Sequence, residues 1–327
     1  MQSVATGFVY DDKYLLHDAG PEHPEQPERL SAIVRRLDAT GLMARLKRLQ
    51  PQPVEGKWLT TVHDADYVAR VEAACFNAPT FVDSMDTLVC NRSYEVARLA
   101  AGGVLVAVDA VVTGEVRNAF CAARPGGHHA LPDRSMGFCL FNHVAIAARY
   151  AQMQHQLERI LIVDLDVHHG NGTQAIFYDD PTVLFFDIHQ DHFYPHTGAV
   201  AERGLGRGIG FTINVPLEAG LGNDQYKVAF RDKLLPPVKE FRPNLLLLSA
   251  GFDAYKYDTL GRMKVTPRGF AEMTRVLKAI AKEHCHNRLI AVLEGGYNAE
   301  GLAECVEAHV RALMGMDEQG TERGGAD

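Results

Sequence analysis

Two ionisable side chains, Asp166 and His168, lie two positions apart directly after a run of aliphatic residues. On an extended backbone, side chains at this spacing share one face and can bind one ion. Asp253 follows a second aliphatic run and could supply a third ligand. Two carboxylates and one imidazole suit zinc, and three protein ligands leave a position open for water. An Asp-x-Asp sequence after a strand can also be a helix cap or a surface loop, but the His-His-Gly-Asn-Gly that starts at His168 favours a catalytic metal site.

The adjacent histidines His128 and His129 are a second candidate for chemistry, because they follow two glycines and a strand-like segment. Glycines let the backbone approach a substrate closely, and paired imidazoles offer an acid and a base of near-neutral pKa. An isolated His-His pair is more often a surface feature. Here Asp164 and Asn171 are available elsewhere in the chain to orient the two rings.

Aromatic residues could complete such a site. Tyr297, which ends the sequence Glu-Gly-Gly-Tyr, could donate a hydrogen bond to a developing oxyanion, although a tyrosine without glycines beside it would more often belong to the core. Phe138, Phe193 and Tyr194 could form the walls of an apolar slot, although aromatic residues are more often plain core.

The elements that must position these residues indicate an α/β fold with one central, mostly parallel sheet. Continuous aliphatic runs, typical of strands covered by helices on both faces, occur at 160–167, 183–188, 211–215, 245–248 and 289–293. Helical patterns occur at 28–37, 66–74, 93–112, 142–154, 225–240, 269–283 and 299–314. Polar residues follow four of the strands: Asp164, Asp166, His168, Asp187, His189, Asp253, Glu294 and Tyr297. Because ligands bind at the carboxyl ends of parallel strands, we expect these residues to share one edge of the sheet.

Composition excludes several classes of protein. With 33 Lys and Arg against 41 Asp and Glu, the formal charge is −8, which disfavours nucleic-acid binding. No apolar run reaches the roughly 20 residues that span a membrane, and the N-terminus lacks the pattern of a signal peptide. Six scattered cysteines suit a reducing compartment, so we expect a cytoplasmic protein. We expect one domain over residues 1–316 and a disordered polar tail at 317–327.

Five motifs in this order resemble the signature of histone deacetylases. They lie at 124–130, 137–139, 164–173, 251–254 and 294–297, and residues 23–30 resemble the family's opening loop. The resemblance extends from about residue 23 to about residue 313 and is far more specific than any single motif. Asn171 and the pair Asp86-Thr87 resemble the class II branch and its bacterial relatives, the deacetylase-like amidohydrolases and the acetylpolyamine amidohydrolases.

The resemblance implies the arginase/deacetylase fold, an eight-stranded parallel sheet flanked by helices, and a zinc-dependent amidohydrolase. The implied zinc ligands are Asp166, His168 and Asp253. The implied products of the reaction are acetate and a free amine.

The resemblance also assigns roles around the zinc ion. It implies that His128, oriented by Asp164, is the general base, and that His129, near Asn171, protonates the leaving amine. It implies that Tyr297 polarises the amide carbonyl, and a tyrosine at this position is typical of active deacetylases.

Structural potassium and an acyl-lysine tunnel are implied in the same way. One potassium ion would lie near Asp164, Asp166, His168, Asp187 and Ile188, and a second would use Phe177, Asp180, Val183 and Phe211. The tunnel would be lined by Gly137, Phe138 and Tyr194, with Leu260 at its rim.

The sequence departs from the family pattern at this rim. Gly126 replaces the usual Pro, and Tyr257 and Thr259 replace the usual Gly and Pro after Asp253. Leu260 stands where polyamine-specific relatives carry an acidic residue, which disfavours strict polyamine specificity.

The sequence therefore predicts a zinc deacetylase that acts on acetylated or short-acylated lysine, in a peptide or protein, or on a related small amine. One alternative is an acetylpolyamine amidohydrolase. A less favoured one is a catalytically silent acetyl-lysine binder, because such a binder would have lost residues that are all present here. We expect neither nucleic-acid nor membrane partners, and a homo-oligomer is compatible with the sequence.

Overall fold

An eight-stranded sheet, in which every neighbouring pair is parallel, organises the chain in the computed structural model, which describes residues 5–316. Its strands are β1 (Thr6–Val9), β2 (Lys47–Leu49), β5 (Asn118–Cys121), β6 (Ile160–Asp164), β7 (Val183–Gln190), β8 (Thr212–Leu217), β9 (Leu245–Ala250) and β10 (Leu289–Leu293). Two short strands, β3 (Thr80–Phe81) and β4 (Leu88–Val89), pair antiparallel in a separate ribbon. The order across the large sheet is β2-β1-β5-β10-β9-β6-β7-β8, so the predicted fold class is confirmed.

Helices lie between the strands. They are α1 (Glu28–Ala39), α2 (Gly56–Leu59), α3 (Ala65–Phe76), α4 (Ser93–Val112), α5 (His143–His155), α6 (Asn171–Phe177), α7 (Asn223–Ala229), α8 (Leu235–Phe241), α9 (Pro267–His284) and α10 (Ala299–Met314). Three side chains cap helix starts, because Asn142, Thr266 and Asn298 each accept a hydrogen bond from a backbone N–H of the first turn. Within residues 5–316, no helix combines the length and the apolar character needed to cross a membrane.

Two apolar layers cover the two faces of the sheet. Along β6, Leu161 and Val163 pack into one buried cluster, whereas Ile160 and Ile162 pack into the other. This alternation explains the continuous aliphatic run in the sequence, because a strand that is covered on both faces needs apolar residues at every position.

The predicted elements are present, with differences at their ends. The strand predicted at 160–167 is wrong in its last three residues, since β6 ends at Asp164. The chain bends there because side chains compete for its backbone: Asp164 accepts the N–H of Asp166, and Asp166 accepts the N–H of His168. The helix predicted at 225–240 is divided, because a π-helical turn at Phe230–Leu234 separates α7 from α8. The short elements β1, β2, α2 and α6 have no distinct periodicity in the sequence.

The tail at 317–327, for which the sequence predicts disorder, lies outside the described residues, as do residues 1–4.

Candidate active site

Polar side chains converge where neighbouring strands end. The strands β10, β9, β6 and β7 are adjacent in the sheet, so the four polar strand ends that the sequence identified meet at one edge. The segment that carries His128 and His129 follows β5, the other neighbour of β10. Five consecutive strands of the sheet therefore supply the site.

The predicted metal ligands Asp166, His168 and Asp253 lie together at this edge. Their ligand atoms are all within 4.8 Å of one another, and all three side chains are buried. His168 Nδ1 is 2.9 Å from Asp166 Oδ1 and 3.2 Å from Asp253 Oδ2. They meet through the bend after β6 and not through the extended spacing that the sequence suggested.

This donor set fits a divalent cation. Burial lowers the pKa of His168, but the two carboxylates outweigh it and raise the pKa to about 9, so positive charge is favoured at this point. Asp253 Oδ2 is buried, and apart from its 3.2 Å ion-pair contact with His168 Nδ1 it has no hydrogen-bond partner among the described residues. A side chain in place of Gly251 or Gly295 would overlap the carboxylates, so both glycines are needed to leave room for them. Two oxygens and one nitrogen with a position left open are typical of catalytic zinc.

The two adjacent histidines lie beside the metal ligands in different electrostatic surroundings. His128 Nδ1 is 3.0 Å from Asp164 Oδ2, and His129 Nδ1 is 2.7 Å from Asn171 Oδ1. Burial would lower the pKa of His128, but the carboxylates of Asp164 and Asp166 raise it well above its ordinary value. For His129, burial lowers the pKa well below its ordinary value, and repulsion from His128 acts in the same direction. The surroundings of His128 therefore favour a positive charge on its ring, whereas those of His129 disfavour one.

Glu294 holds the histidine loop in place, a role that its sequence position did not reveal. One carboxylate oxygen, Oε2, accepts the backbone N–H of Gly127 at 2.6 Å and that of His128 at 3.2 Å. A side chain at Gly126 would approach the same oxygen to 2.9 Å. The glycine that departs from the family pattern thus gives room to this carboxylate.

A buried ion network connects the loop to Tyr297. Arg124 is fully buried and donates to both oxygens of Glu25, at 2.7 and 2.6 Å. Burial alone would raise the pKa of Glu25, but Arg124 holds it well below its ordinary range. Arg29 also donates to Glu25 and to the carbonyl of Gly296, and its guanidinium lies 4.9 Å from the centre of the Tyr297 ring. Losing one partner of a buried pair such as this costs about 3–5 kcal/mol.

A pocket of about 370 Å³ opens above these groups. It is lined by Asp86, His129, Gly137, Phe138, His168, Phe193, Tyr194, Thr259, Leu260 and Tyr297. All four residues predicted for the tunnel and its rim are in this set. The Phe193 ring stacks on His168 at 5.0 Å, so one apolar wall continues down to the metal ligands.

One carboxylate fixes two walls of this pocket. Asp86 accepts a hydrogen bond from the Tyr194 hydroxyl at 2.7 Å and another from the Gly137 N–H at 3.2 Å. Asp86 had no predicted role beyond its likeness to the class II branch. Tyr297 lies opposite, edge-on to Phe138 at 6.0 Å, and burial raises the pKa of its phenol so that it keeps its proton.

The residues predicted for potassium fall into two groups. Asp164 and Asp187 are direct neighbours in the register of β6 and β7, and Gly170 donates its N–H to Asp187 at 2.8 Å. The residues of the second predicted site lie around the start of β7; they are Phe177, Asp180, Val183 and Phe211. Potassium at either place stays a prediction.

The sequence is similar to a set of deacetylases. Residues 23–313 match the histone deacetylase domain family. The histone deacetylase-like amidohydrolase of Pseudomonas aeruginosa is 39% identical over 329 residues, covering 95% of this chain and 86% of that protein. The probable deacetylase of Archaeoglobus fulgidus is 40% identical, with the same coverage of the two chains.

Two further similarities extend this comparison. The human polyamine deacetylase HDAC10 is 42% identical over 327 residues, covering 95% of this chain and 48% of that protein. The crystal structure of the HDA15 HD domain superposes with a TM-score of 0.91 at 36% identity, covering 98% of this chain and 90% of that one.

The donor set makes a prediction about metal content. Asp253→Asn replaces one of three charged ligands, so the purified variant should lose most of its bound divalent metal in elemental analysis. Asp86→Asn is the matched control, because Asp86 lines the same pocket outside the donor set. Equal metal content in Asp253→Asn and the unaltered protein would contradict this assignment.

Proposed function

The chain belongs to the histone deacetylase family of amide hydrolases, and we propose that it is a zinc-dependent enzyme that removes acetyl or short acyl groups from lysine side chains. The observation that carries the proposal is the convergence of a three-ligand donor set, a histidine pair and a phenol on one narrow pocket. Zinc at this donor set would supply an activated water and a polarised carbonyl.

The protein groups around the substrate divide the remaining work. The apolar walls made by Phe138, Phe193 and Tyr194 suit an aliphatic chain and exclude water from the reacting amide. The Tyr297 hydroxyl keeps its proton and can donate it in a hydrogen bond to the developing oxyanion. Expulsion of an amine needs a proton donor; the His129 ring lines this pocket, and the His128 ring packs against it with the ring centres 3.9 Å apart.

The different surroundings of His128 and His129 favour an exchange of the roles that the resemblance implied. His128 lies between the carboxylates of Asp164 and Asp166, which favour a positive charge on its ring and so weaken it as a proton acceptor. His129 lines the pocket, and its surroundings favour the uncharged ring, so it can accept the proton of the attacking water and return it to the leaving amine. We propose this assignment, with His128 stabilising negative charge beside it.

Replacing each ring by alanine tests the assignment. His129→Ala should lower kcat/KM by about 10²–10⁴-fold, because general acid–base catalysis contributes that much. His128→Ala should lose less, because it removes a positive charge and not the proton carrier. Zinc content of both variants is the control. A larger loss in His128→Ala would restore the roles that the resemblance implied.

The nature of the amine is tested by a substrate panel on the zinc-loaded protein. We expect turnover of an acetyl-lysine peptide, loss of turnover with a chelator, and inhibition by a hydroxamate. The similarity to a polyamine deacetylase makes N-acetylputrescine the second candidate substrate. Leu260 offers no charge to a distal ammonium, so we expect kcat/KM to be higher for the peptide. A large preference for the diamine would support the second candidate, and inertness toward all acyl substrates would contradict both.

A rim variant makes the panel more decisive. Leu260→Glu should shift the kcat/KM ratio toward N-acetylputrescine by about tenfold or more, because a charged hydrogen bond contributes about 1.5–3 kcal/mol. Leu260→Gln is the control of similar size without the charge.

The role of the Tyr297 hydroxyl can be tested separately. Tyr297→Phe should keep its zinc and lose about 10²–10³-fold in kcat, because only the oxyanion donor is removed. The measurements are elemental analysis and steady-state kinetics on the acetyl-lysine peptide. Full activity in this variant would show that another group stabilises the oxyanion.

A further inference from the structure

The Asp258 carboxylate accepts four backbone hydrogen bonds at the rim of the pocket. Its Oδ2 accepts the N–H of Tyr297 at 2.7 Å and the N–H of Asn298 at 3.3 Å. Its Oδ1 accepts the N–H of Leu260 at 2.9 Å and the N–H of Gly261 at 3.1 Å. One carboxylate therefore joins the segment after β9 to the segment after β10.

The two joined segments carry residues on the wall of the same pocket. Leu260 and Tyr297 both line it, and the Asp258 carboxylate bonds directly to the backbone N–H of each. Asn298 strengthens the junction, because its side-chain amide donates to the carbonyl of Tyr257 at 2.8 Å. The position of the rim loop and the position of Tyr297 thus depend on the same group.

The hydrogen bond from the Tyr297 N–H goes to Asp258, whereas Arg29 and Asp166 hold the backbone of the residues before it. Residues 294–298 lie between β10 and α10 without regular structure, and Gly296 has a φ of +124°, a conformation that side chains rarely adopt. Arg29 and Phe138 contact the ring of Tyr297. How far the hydroxyl extends into the pocket also depends on the position of the Tyr297 backbone. Hydrogen bonds to a carboxylate are stronger than those between neutral groups, so Asp258 holds the backbone of Tyr297 itself in place.

We propose that Asp258 is a positioning residue that sets the reach of the Tyr297 hydroxyl and couples it to the rim residue Leu260. The inference rests on the function proposed above, in which Tyr297 stabilises the oxyanion. A substrate group that displaces Leu260 would then change the placement of Tyr297, so the rim would act on the rate of the chemical step as well as on binding.

A double-mutant cycle tests the coupling to Tyr297. Asp258→Asn places an amide donor against some of the N–H groups that the carboxylate now accepts. We expect kcat for the acetyl-lysine peptide to fall on the order of 10- to 100-fold, because displacing a catalytic hydroxyl by about 1 Å can cost that much. In the Tyr297→Phe background the same change should alter kcat by less than about twofold, because the hydroxyl to be positioned is gone. An equal loss in both backgrounds, or no loss in either, would overturn the proposal.

The control for this cycle is Asp18→Asn. Asp18 is an exposed aspartate that accepts the N–H of Gly20 at 2.8 Å, outside the residues that line the pocket. It should leave kcat and KM unchanged in both backgrounds.

Leu260→Ala tests the coupling to the rim. When Asp258 is present, this change should alter kcat, whereas in the Asp258→Asn background it should alter only KM. A kcat effect of the same size in both would also contradict the coupling.

A second readout does not depend on turnover. The 11 tyrosines can be replaced by 3-fluorotyrosine, and the ¹⁹F signal of Tyr297 identified as the one absent in Tyr297→Phe. Asp258→Asn should shift or broaden this signal, whereas Asp18→Asn should not. An unchanged signal would overturn the positioning role. If the unaltered protein hydrolysed no acyl substrate, the proposed function would fail, and the ¹⁹F spectra would still decide whether Asp258 positions Tyr297.

Discussion

The burial of like charges at one edge of the sheet is the constraint on which this structure depends. Asp164, Asp166, Asp187 and Asp253 are all essentially inaccessible to solvent. Burial and the neighbouring Asp166 carboxylate raise the pKa of Asp253 to about 7, which expresses the cost of placing another negative charge there. Charges in this position need positive partners. This edge provides histidines and the backbone N–H groups of the bends as partners, and it also fits a divalent cation.

The same constraint explains why several carboxylates of the site accept hydrogen bonds from backbone N–H groups. Glu294, Asp258 and Asp86 each accept backbone hydrogen bonds from a different loop of the site. A loop that follows a parallel strand has no ladder to fix it, so a carboxylate from a neighbouring segment takes over that function. The sheet brings the loops together, and these three carboxylates hold the loops in position relative to one another.

The sequence predicted the fold class and the residues that meet at the edge, because both leave local patterns. Continuous aliphatic runs indicated strands covered on both faces, and the polar residues after Val163, Phe252 and Leu293 indicated where those strands end. The bend after β6 and the partners of Arg124 and Asp258 could not be read in this way. They depend on contacts between residues far apart in the chain, and such contacts produce no periodicity. The roles of the two histidines depend on surrounding charges, which a motif does not specify.

The order of the strands has a consequence for the synthesis of the protein. The strand β10, the last among the described residues, occupies the centre of the sheet between β5 and β9. Before it leaves the ribosome, β2-β1-β5 and β9-β6-β7-β8 share no strand pairing, and each sheet half presents an unpaired inner edge. An incomplete chain therefore lacks both Tyr297 and the strand that unites the histidine loop with the carboxylates. Until β10 has emerged, the unpaired inner edges of both halves are exposed to edge-to-edge association.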